Sequence, residues 1–129
     1  MVNWLWVEQA AVLSLHAYQL SIHGGGDGLR DEGLLLSALA RPLNLAAYGE
    51  PDAADLAACY AVGIAKNHPF VDGNKRVALV TAELFLQSNG YALAATDEKL
   101  IPVFLSIAAG EMSGDELAVW LRERLAQTA

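Results

Sequence analysis

The chain has 129 residues, of which 54% are hydrophobic, and carries a formal net charge of −7 at pH 7. A chain of this length hides roughly two-thirds of its unfolded surface on folding, so we expect one domain over residues 1–129 that needs neither a disulfide nor a structural metal. The acidic balance argues against direct nucleic-acid binding, and no run approaches the ~20 consecutive apolar residues of a membrane span.

The cysteine content and the first residues indicate the cellular location. The single cysteine, Cys59, excludes an internal disulfide and fits a reducing compartment. Residues 1–6 contain neither the basic region nor the long apolar region of a signal peptide. We therefore expect a cytoplasmic protein.

Helix signals run through the whole chain, which is biased towards Ala and Leu. Asp52 and Thr96 are predicted N-caps, because their side chains can accept a hydrogen bond from the first helical turn. Pro42 is expected to end the second helix, and the segments 43–51 and 91–94 are each expected to be irregular or extended. In chain order, the six predicted helices span residues 7–22, 31–40, 53–66, 74–89, 97–110 and 114–124.

Two of these helices, the third and the fourth, are apolar on nearly all faces, which is typical of helices in the middle of a domain. Gly90 is placed as the C-cap glycine of the fourth, and Ser113 with Glu116 forms a capping box for the last. The sequence therefore predicts a compact all-α bundle of about six helices. Its buried central pair flanks the turn at residues 68–76, which gives that turn a rigid mount.

That turn, His68-Pro69-Phe70-Val71-Asp72-Gly73-Asn74-Lys75-Arg76, concentrates chemically active side chains. Of the eight Lys and Arg residues, three (Lys66, Lys75 and Arg76) lie within eleven positions. The following helix start offers unpaired N–H groups and the positive end of the helix dipole, which together favour phosphate. The pattern predicts a phosphate-bearing ligand held beside a base.

His68 and Asp72 are the candidates for proton transfer and metal binding. Histidine changes its charge near neutral pH, so His68 is the candidate general base; alternatively it caps the carbonyls at a helix end. Asp72 offers the hard oxygen ligands that suit Mg²⁺; alternatively it is an Asx-turn residue.

The remaining motif residues are candidates for binding the phosphates. Gly73 allows either close approach of the backbone or a positive φ, and Asn74 either joins the phosphate site or acts as an N-cap. Lys75 and Arg76 would bind phosphate oxygens, since cations at a helix start oppose the dipole and call for an anion. Phe70 is expected to be a core residue that anchors the turn.

Two other kinds of site are not supported. His16 and His23 are seven residues apart, about two helical turns, which is too far to share one metal ion. The glycine-rich stretch 24–28 is not followed by the Lys-Ser/Thr pair of a P-loop, so it is read as a flexible loop.

The turn resembles the signature of the Fic/Doc family, specifically its Doc (death-on-curing) branch. The likeness extends to residues 28–42 upstream and to 85–91 and 108–112 downstream, and thus covers most of the chain. The resemblance implies a compact helical fold that transfers a group from ATP, with Mg²⁺, to a protein hydroxyl. Residues matching the family motif are His68, Asp72, Lys75 and Arg76 as catalytic groups, with Gly73 and Asn74 at the phosphates.

Departures from the commoner family pattern bear on which group is transferred. AMP-transferases of the family resemble His-x-Phe-x-Asp/Glu-Gly-Asn-Gly-Arg-x-x-Arg, whereas this chain has Lys75 and Leu79 at the second glycine and second arginine. Both differences match the Doc branch, whose members transfer the γ-phosphoryl group to a threonine of elongation factor Tu and stop translation. Gly73, where the Doc pattern has alanine, is a partial reversal. The alternatives are AMP transfer and a non-catalytic binding module.

Control of the activity can also be inferred from the resemblance. Many Fic proteins carry an inhibitory helix of the pattern Ser/Thr-x-x-x-Glu-Gly/Asn. The nearest stretch, residues 28–33, lacks the leading hydroxyl residue. The resemblance therefore implies a separate antitoxin whose disordered segment folds on binding.

Overall fold

The computed structural model describes residues 2–128 and contains six helices and a two-stranded sheet. Within this part of the chain, none of the helices has both the length and the apolarity needed to cross a bilayer. The elements in chain order are α1 (Gln9–His23), α2 (Glu32–Tyr48), α3 (Ala53–Asn67), α4 (Asn74–Ser88), β1 (Tyr91–Leu93), α5 (Asp97–Ala108), α6 (Gly114–Arg122) and β2 (Leu125–Gln127).

Helix α3 forms the centre of the molecule and packs against α2, α4, α5 and α6. Eleven of its fifteen residues are buried, as are eight of the fifteen in α4. Small side chains permit the close approach: a Cβ added to Gly63 would lie 3.2 Å from the Cβ of Ala38 on α2. The mostly helical fold with a buried central pair, predicted from the apolar third and fourth helices, is confirmed.

The predicted end of the second helix is wrong. Helix α2 continues through Pro42 to Tyr48, so most of the segment expected to be irregular is helical. Proline inside a helix removes one hydrogen bond and crowds the preceding turn. Pro42 is itself buried, and Ala46, one turn later, packs against the core. We attribute the continuation to this burial, which offsets the local cost of the proline.

Side-chain caps fix the starts of α3 and α6 as predicted. Asp52 accepts a hydrogen bond from the Asp55 amide while the Asp55 carboxylate accepts one from the Asp52 amide, and Ser113 and Glu116 form the same reciprocal pair. Thr96 also stands at the N-cap of α5, but its side chain makes no capping hydrogen bond.

The small sheet links the end of the chain to the end of α4. β1 pairs antiparallel with β2, with Tyr91 opposite Gln127 and Leu93 opposite Leu125. The extended alternative for 91–94 is thus confirmed, whereas the second strand was not predicted. Because the chain turns into β2, the last helix ends at Arg122 rather than Arg124.

Candidate active site

The predicted site lies in the turn between the end of α3 and the start of α4. Two residues with left-handed backbone conformation mark its ends, His68 (φ 50°, ψ 56°) at the C-cap of α3 and Gly73 (φ 79°, ψ 14°) at the N-cap of α4. Among residues 2–128, His68 is the only non-glycine residue with positive φ. Glycine tolerates this conformation, whereas for histidine it carries a steric cost that neighbouring contacts must offset.

Phe70 and Asn74 organise the interior of the turn. The Phe70 side chain is 1% exposed. The Asn74 amide accepts a hydrogen bond from the Phe70 N–H at 2.9 Å and donates one to the Phe70 carbonyl at 3.0 Å. Asn74 is the first residue of α4, and Gly73 occupies the N-cap, so the N-cap interpretation of Asn74 is wrong. Its side chain braces the turn from within.

His16, on α1, contacts two residues of the turn, Phe70 and Asp72. Its ring stacks on Phe70, with centroids 3.8 Å apart and planes 12° apart, and is 4% exposed. The Nε2 atom lies 2.8 Å from the Asp72 carbonyl oxygen. A carbonyl can only accept, so Nε2 carries the proton in this contact. In the sequence, His16 was a candidate only for metal binding. The available signal was its position one turn after buried Val12, on the face of α1 that meets the core.

Asp72 is held by backbone amides on both of its carboxylate oxygens. Oδ1 accepts a hydrogen bond from the Gly73 N–H at 2.8 Å, and Oδ2 lies 3.4 Å from the Gly26 amide nitrogen. The glycine-rich loop packs so closely here that a Cβ on Gly25 would lie 2.7 Å from Oδ2. This loop, read from the sequence as merely flexible, therefore contacts the candidate metal ligand.

The donor set fits Mg²⁺ bound together with a nucleotide. In the described chain, no three His, Cys, Asp or Glu side chains are grouped as a metal cage. Mg²⁺ is commonly held by one or two carboxylates and by substrate phosphates while it keeps several waters. The single carboxylate of Asp72 beside a cationic helix start meets that requirement.

A cavity of about 490 Å³ opens in front of the turn. This volume is in the range of small-ligand sites. Its lining combines the polar motif residues, including the two cations of the first turn of α4, with apolar side chains from α4 and α5. The lining residues are His68, Val71, Asp72, Gly73, Asn74, Lys75, Arg76, Leu79, Ile101, Phe104 and Leu105.

Lys75 and Arg76 are exposed at this cavity and have no acidic partner. Throughout residues 2–128, the ion pairs are those that Arg122 makes with Asp52 and Asp55, on another part of the surface. Two unpaired cations at the positive end of a helix dipole create a local positive potential in an acidic protein. The arrangement can bind a multiply charged anion.

Lys66, grouped with these cations by sequence, lies elsewhere. It lines a second, more open cavity of about 660 Å³ with Arg41 and Cys59. Burial raises the pKa of the Cys59 thiol, and the nearby Arg41 charge partly opposes this. The cationic part of the candidate site is therefore the pair Lys75 and Arg76.

The loop between α1 and α2 runs alongside the turn and pairs with its backbone. Leu29 forms an isolated antiparallel bridge with Phe70, and the Gly28 carbonyl accepts a hydrogen bond from the Val71 N–H at 3.1 Å. The side chain of Arg30 reaches the carbonyl of His68. In the sequence, this segment contributed only to the family resemblance, and its contact with the turn was not predicted.

Comparisons with known proteins support the resemblance seen in the motif. The model of the Fic/DOC family matches residues 6–86, more than half of the chain. The chain is 36% identical over 112 residues to "Protein kinase doc" of Escherichia phage P1, a match that covers 86% of this chain and 88% of that protein. It is also 47% identical over 75 residues to "Toxin Doc" of Mycolicibacterium smegmatis, which covers 56% of this chain and 57% of that protein.

Proposed function

The chain belongs to the Fic/Doc family, in its Doc branch, and from that premise we propose that it is the toxin of a toxin–antitoxin pair. Its activity in this proposal is transfer of the γ-phosphoryl group of ATP to a Thr or Ser hydroxyl of elongation factor Tu, which arrests translation. The names of its two relatives, a protein kinase and a toxin, support both parts of the proposal.

One observation carries the proposal: the cavity brings a histidine, a carboxylate and two unpaired cations to the start of one helix. His68, Asp72, Lys75 and Arg76 all line it, together with apolar side chains from α4 and α5. Phosphoryl transfer needs little covalent help from the protein and depends on positioning and on stabilisation of charge. These four side chains supply both.

In the proposed reaction, His68 accepts the proton of the attacking hydroxyl as its oxygen forms a bond to the γ-phosphorus. Lys75 and Arg76 bind oxygens of the triphosphate, Arg76 through two parallel N–H groups and Lys75 as a point charge. The free N–H groups of the first turn of α4 add further donors. The bond between the γ-phosphorus and the oxygen of ADP breaks, and ADP leaves with the negative charge that Lys75, Arg76 and the N–H groups have balanced.

Asp72 is the residue that would hold Mg²⁺. The ion, when bound, neutralises negative charge on the nucleotide phosphates. The amides of Gly73 and Gly26 fix both carboxylate oxygens, so Asp72 needs little reorganisation to bind it. Asp72 lines the same cavity as Lys75 and Arg76.

Two residues favour phosphoryl transfer over AMP transfer, the alternative for this fold. Leu79, where AMP-transferases have a second arginine, is 7% exposed and contributes an apolar side chain to the cavity. Lys75 replaces the second glycine of that pattern and brings a charge instead of room for close backbone approach. A nucleotide bound as in AMP-transferases would lose one guanidinium clamp and meet an additional ammonium group.

The proposal is tested by incubating the purified protein with elongation factor Tu, Mg²⁺ and ATP labelled with ³²P at the γ position. We expect label on elongation factor Tu, and its loss by at least 100-fold in His68→Ala, since a general base typically contributes 10²–10⁴-fold. His23→Ala, which changes an exposed histidine at the end of α1, is the matched control and should keep wild-type activity. Transfer by His68→Ala at the wild-type rate would refute the role of His68.

The antitoxin is a second part of the proposal. Expression of the chain alone should arrest bacterial growth, and co-expression of an antitoxin whose disordered segment folds on the toxin should restore it. His68→Ala, expressed at the same level, should permit growth without antitoxin. Normal growth of cells that express the wild-type chain alone would contradict a toxin.

A further inference from the structure

Arg30 lies outside the motif, yet its guanidinium contacts the end of α3 where His68 stands. Nε donates to the His68 carbonyl at 2.8 Å, and one terminal nitrogen donates to the same carbonyl at 2.6 Å and to the Asn67 carbonyl at 3.1 Å. The Arg30 backbone N–H donates to the Pro69 carbonyl at 2.7 Å. Three successive carbonyls at the helix end are thus satisfied by one residue.

These contacts stabilise His68 at a helix end and in a left-handed backbone conformation, both of which are unfavourable without partners. Helix C-termini leave carbonyls without partners, and a left-handed histidine is sterically unfavourable unless its surroundings hold it there. The His68 N–H continues the helix by donating to the Ile64 carbonyl at 3.2 Å, so the Arg30 side chain supplies the contact on the carbonyl side. The left-handed backbone sets the direction in which the His68 side chain leaves the turn.

The imidazole itself is weakly held. Within residues 2–128, its one polar neighbour at hydrogen-bonding range is the Asn74 amide nitrogen, 3.5 Å from Nδ1, at the outer limit of a hydrogen bond. The position of the ring therefore depends mainly on where the backbone of His68 is placed. Arg30 fixes that backbone through charge-assisted hydrogen bonds, which are stronger than neutral ones.

We propose that Arg30 is a positioning residue that holds His68 in its left-handed conformation and thereby places the imidazole at the cavity. The inference rests on the proposed function for the role of His68, while the anchoring itself does not. Arg30 belongs to the segment 28–31, whose pairing with residues 69–71 gives the segment a purpose beyond linking α1 to α2.

Arg30→Ala tests this role because the side chain is exposed and lies outside the buried core. We expect kcat for transfer from ATP to fall at least tenfold, with KM for ATP changed by less than threefold, since the phosphate-binding groups are on α4. The kcat of Arg30→Lys should lie between those of wild type and Arg30→Ala, because one ammonium group cannot reproduce the planar, forked guanidinium. Millimolar methylguanidinium should restore part of the activity of Arg30→Ala.

The matched control is Arg124→Ala. Arg124 also donates to a backbone carbonyl near a helix end, that of Trp120 at 2.9 Å, but on α6. Its loss should lower Tm without changing kcat below the transition. If kcat falls equally in both variants, or stays within twofold of wild type in Arg30→Ala, the positioning role is refuted.

A measurement without nucleotide separates this inference from the proposed function. The Val71 N–H, which donates to the Gly28 carbonyl, should exchange with solvent at least tenfold faster in Arg30→Ala than in wild type or Arg124→Ala. If the wild-type protein transfers no label, the proposed function fails, and exchange at Val71 alone decides the anchoring. Unchanged exchange would overturn it.

Discussion

Replacing Asn74 by alanine tests the interpretation that its amide braces the turn. The side chain makes two hydrogen bonds to the backbone of Phe70, at 2.9 and 3.0 Å, and both residues are buried. A net hydrogen bond contributes about 1 kcal/mol, and leaving a buried backbone group without a partner costs about 1–3 kcal/mol. Since both the N–H and the carbonyl of Phe70 lose their partner, we expect a loss of roughly 2–6 kcal/mol.

The assay is urea unfolding followed by circular dichroism. The midpoint should fall in Asn74→Ala while the slope m stays constant, because the change affects stability and not the surface exposed on unfolding. Asn74→Asp keeps the acceptor for the Phe70 N–H but turns a carboxylate oxygen towards the Phe70 carbonyl, so it should also destabilise. Asn44→Ala, at an exposed position of α2, is the control and should stay within about 0.5 kcal/mol of wild type. A loss below that limit in Asn74→Ala would refute the bracing role.

Two further predictions concern the glycine-rich loop and the surface ion pair. Gly25→Ala places a Cβ 2.7 Å from Asp72 Oδ2, so the Mg²⁺ concentration for half-maximal transfer should rise several-fold. The control is Gly24→Ala, whose Cβ would have no neighbour within 4 Å and should leave this concentration unchanged. Equal effects of the two substitutions would contradict a contact between the loop and Asp72. Hydrogen bonds from Arg122 lower the pKa of Asp52 from 3.8 to about 2, so the pair stabilises the fold above about pH 4 and this contribution disappears as the pH falls towards 2. Because both side chains are about half exposed, solvent screening limits the contribution of the pair to about 1 kcal/mol. Asp52→Asn should therefore flatten the pH dependence of the free energy of unfolding between about pH 4 and pH 2. An unchanged pH dependence in this variant would exclude the ion pair as its source.

The helical architecture followed from local signals that the structure also uses. The capping boxes and the nearly all-apolar third and fourth helices were visible in sequence because each depends on residues close together in the chain. The prediction that α2 ends at Pro42 is wrong because the burial that keeps α2 helical comes from distant residues. β2 was missed for the same reason, since a three-residue strand is defined by its partner.

The site was predicted in outline but not in its supports. His68, Asp72, Lys75 and Arg76 line one cavity as their spacing suggested, and they are contiguous enough to be read directly. His16 and Arg30 reach the turn from 56 and 38 residues away; helical spacing can place His16 on the core face of α1, but it does not identify the partner of either residue. Lys66 shows the converse: it is close in sequence to the motif but faces the other cavity.

Position-specific labelling of ATP tests the central claim most directly. Elongation factor Tu is incubated with the protein and Mg²⁺ in two parallel reactions, one with ³²P at the γ position and one with ³²P at the α position. Phosphoryl transfer predicts label on elongation factor Tu from the γ position only, and none when His68→Ala replaces the wild type. Label from the α position only would contradict phosphoryl transfer and identify the protein as an AMP-transferase.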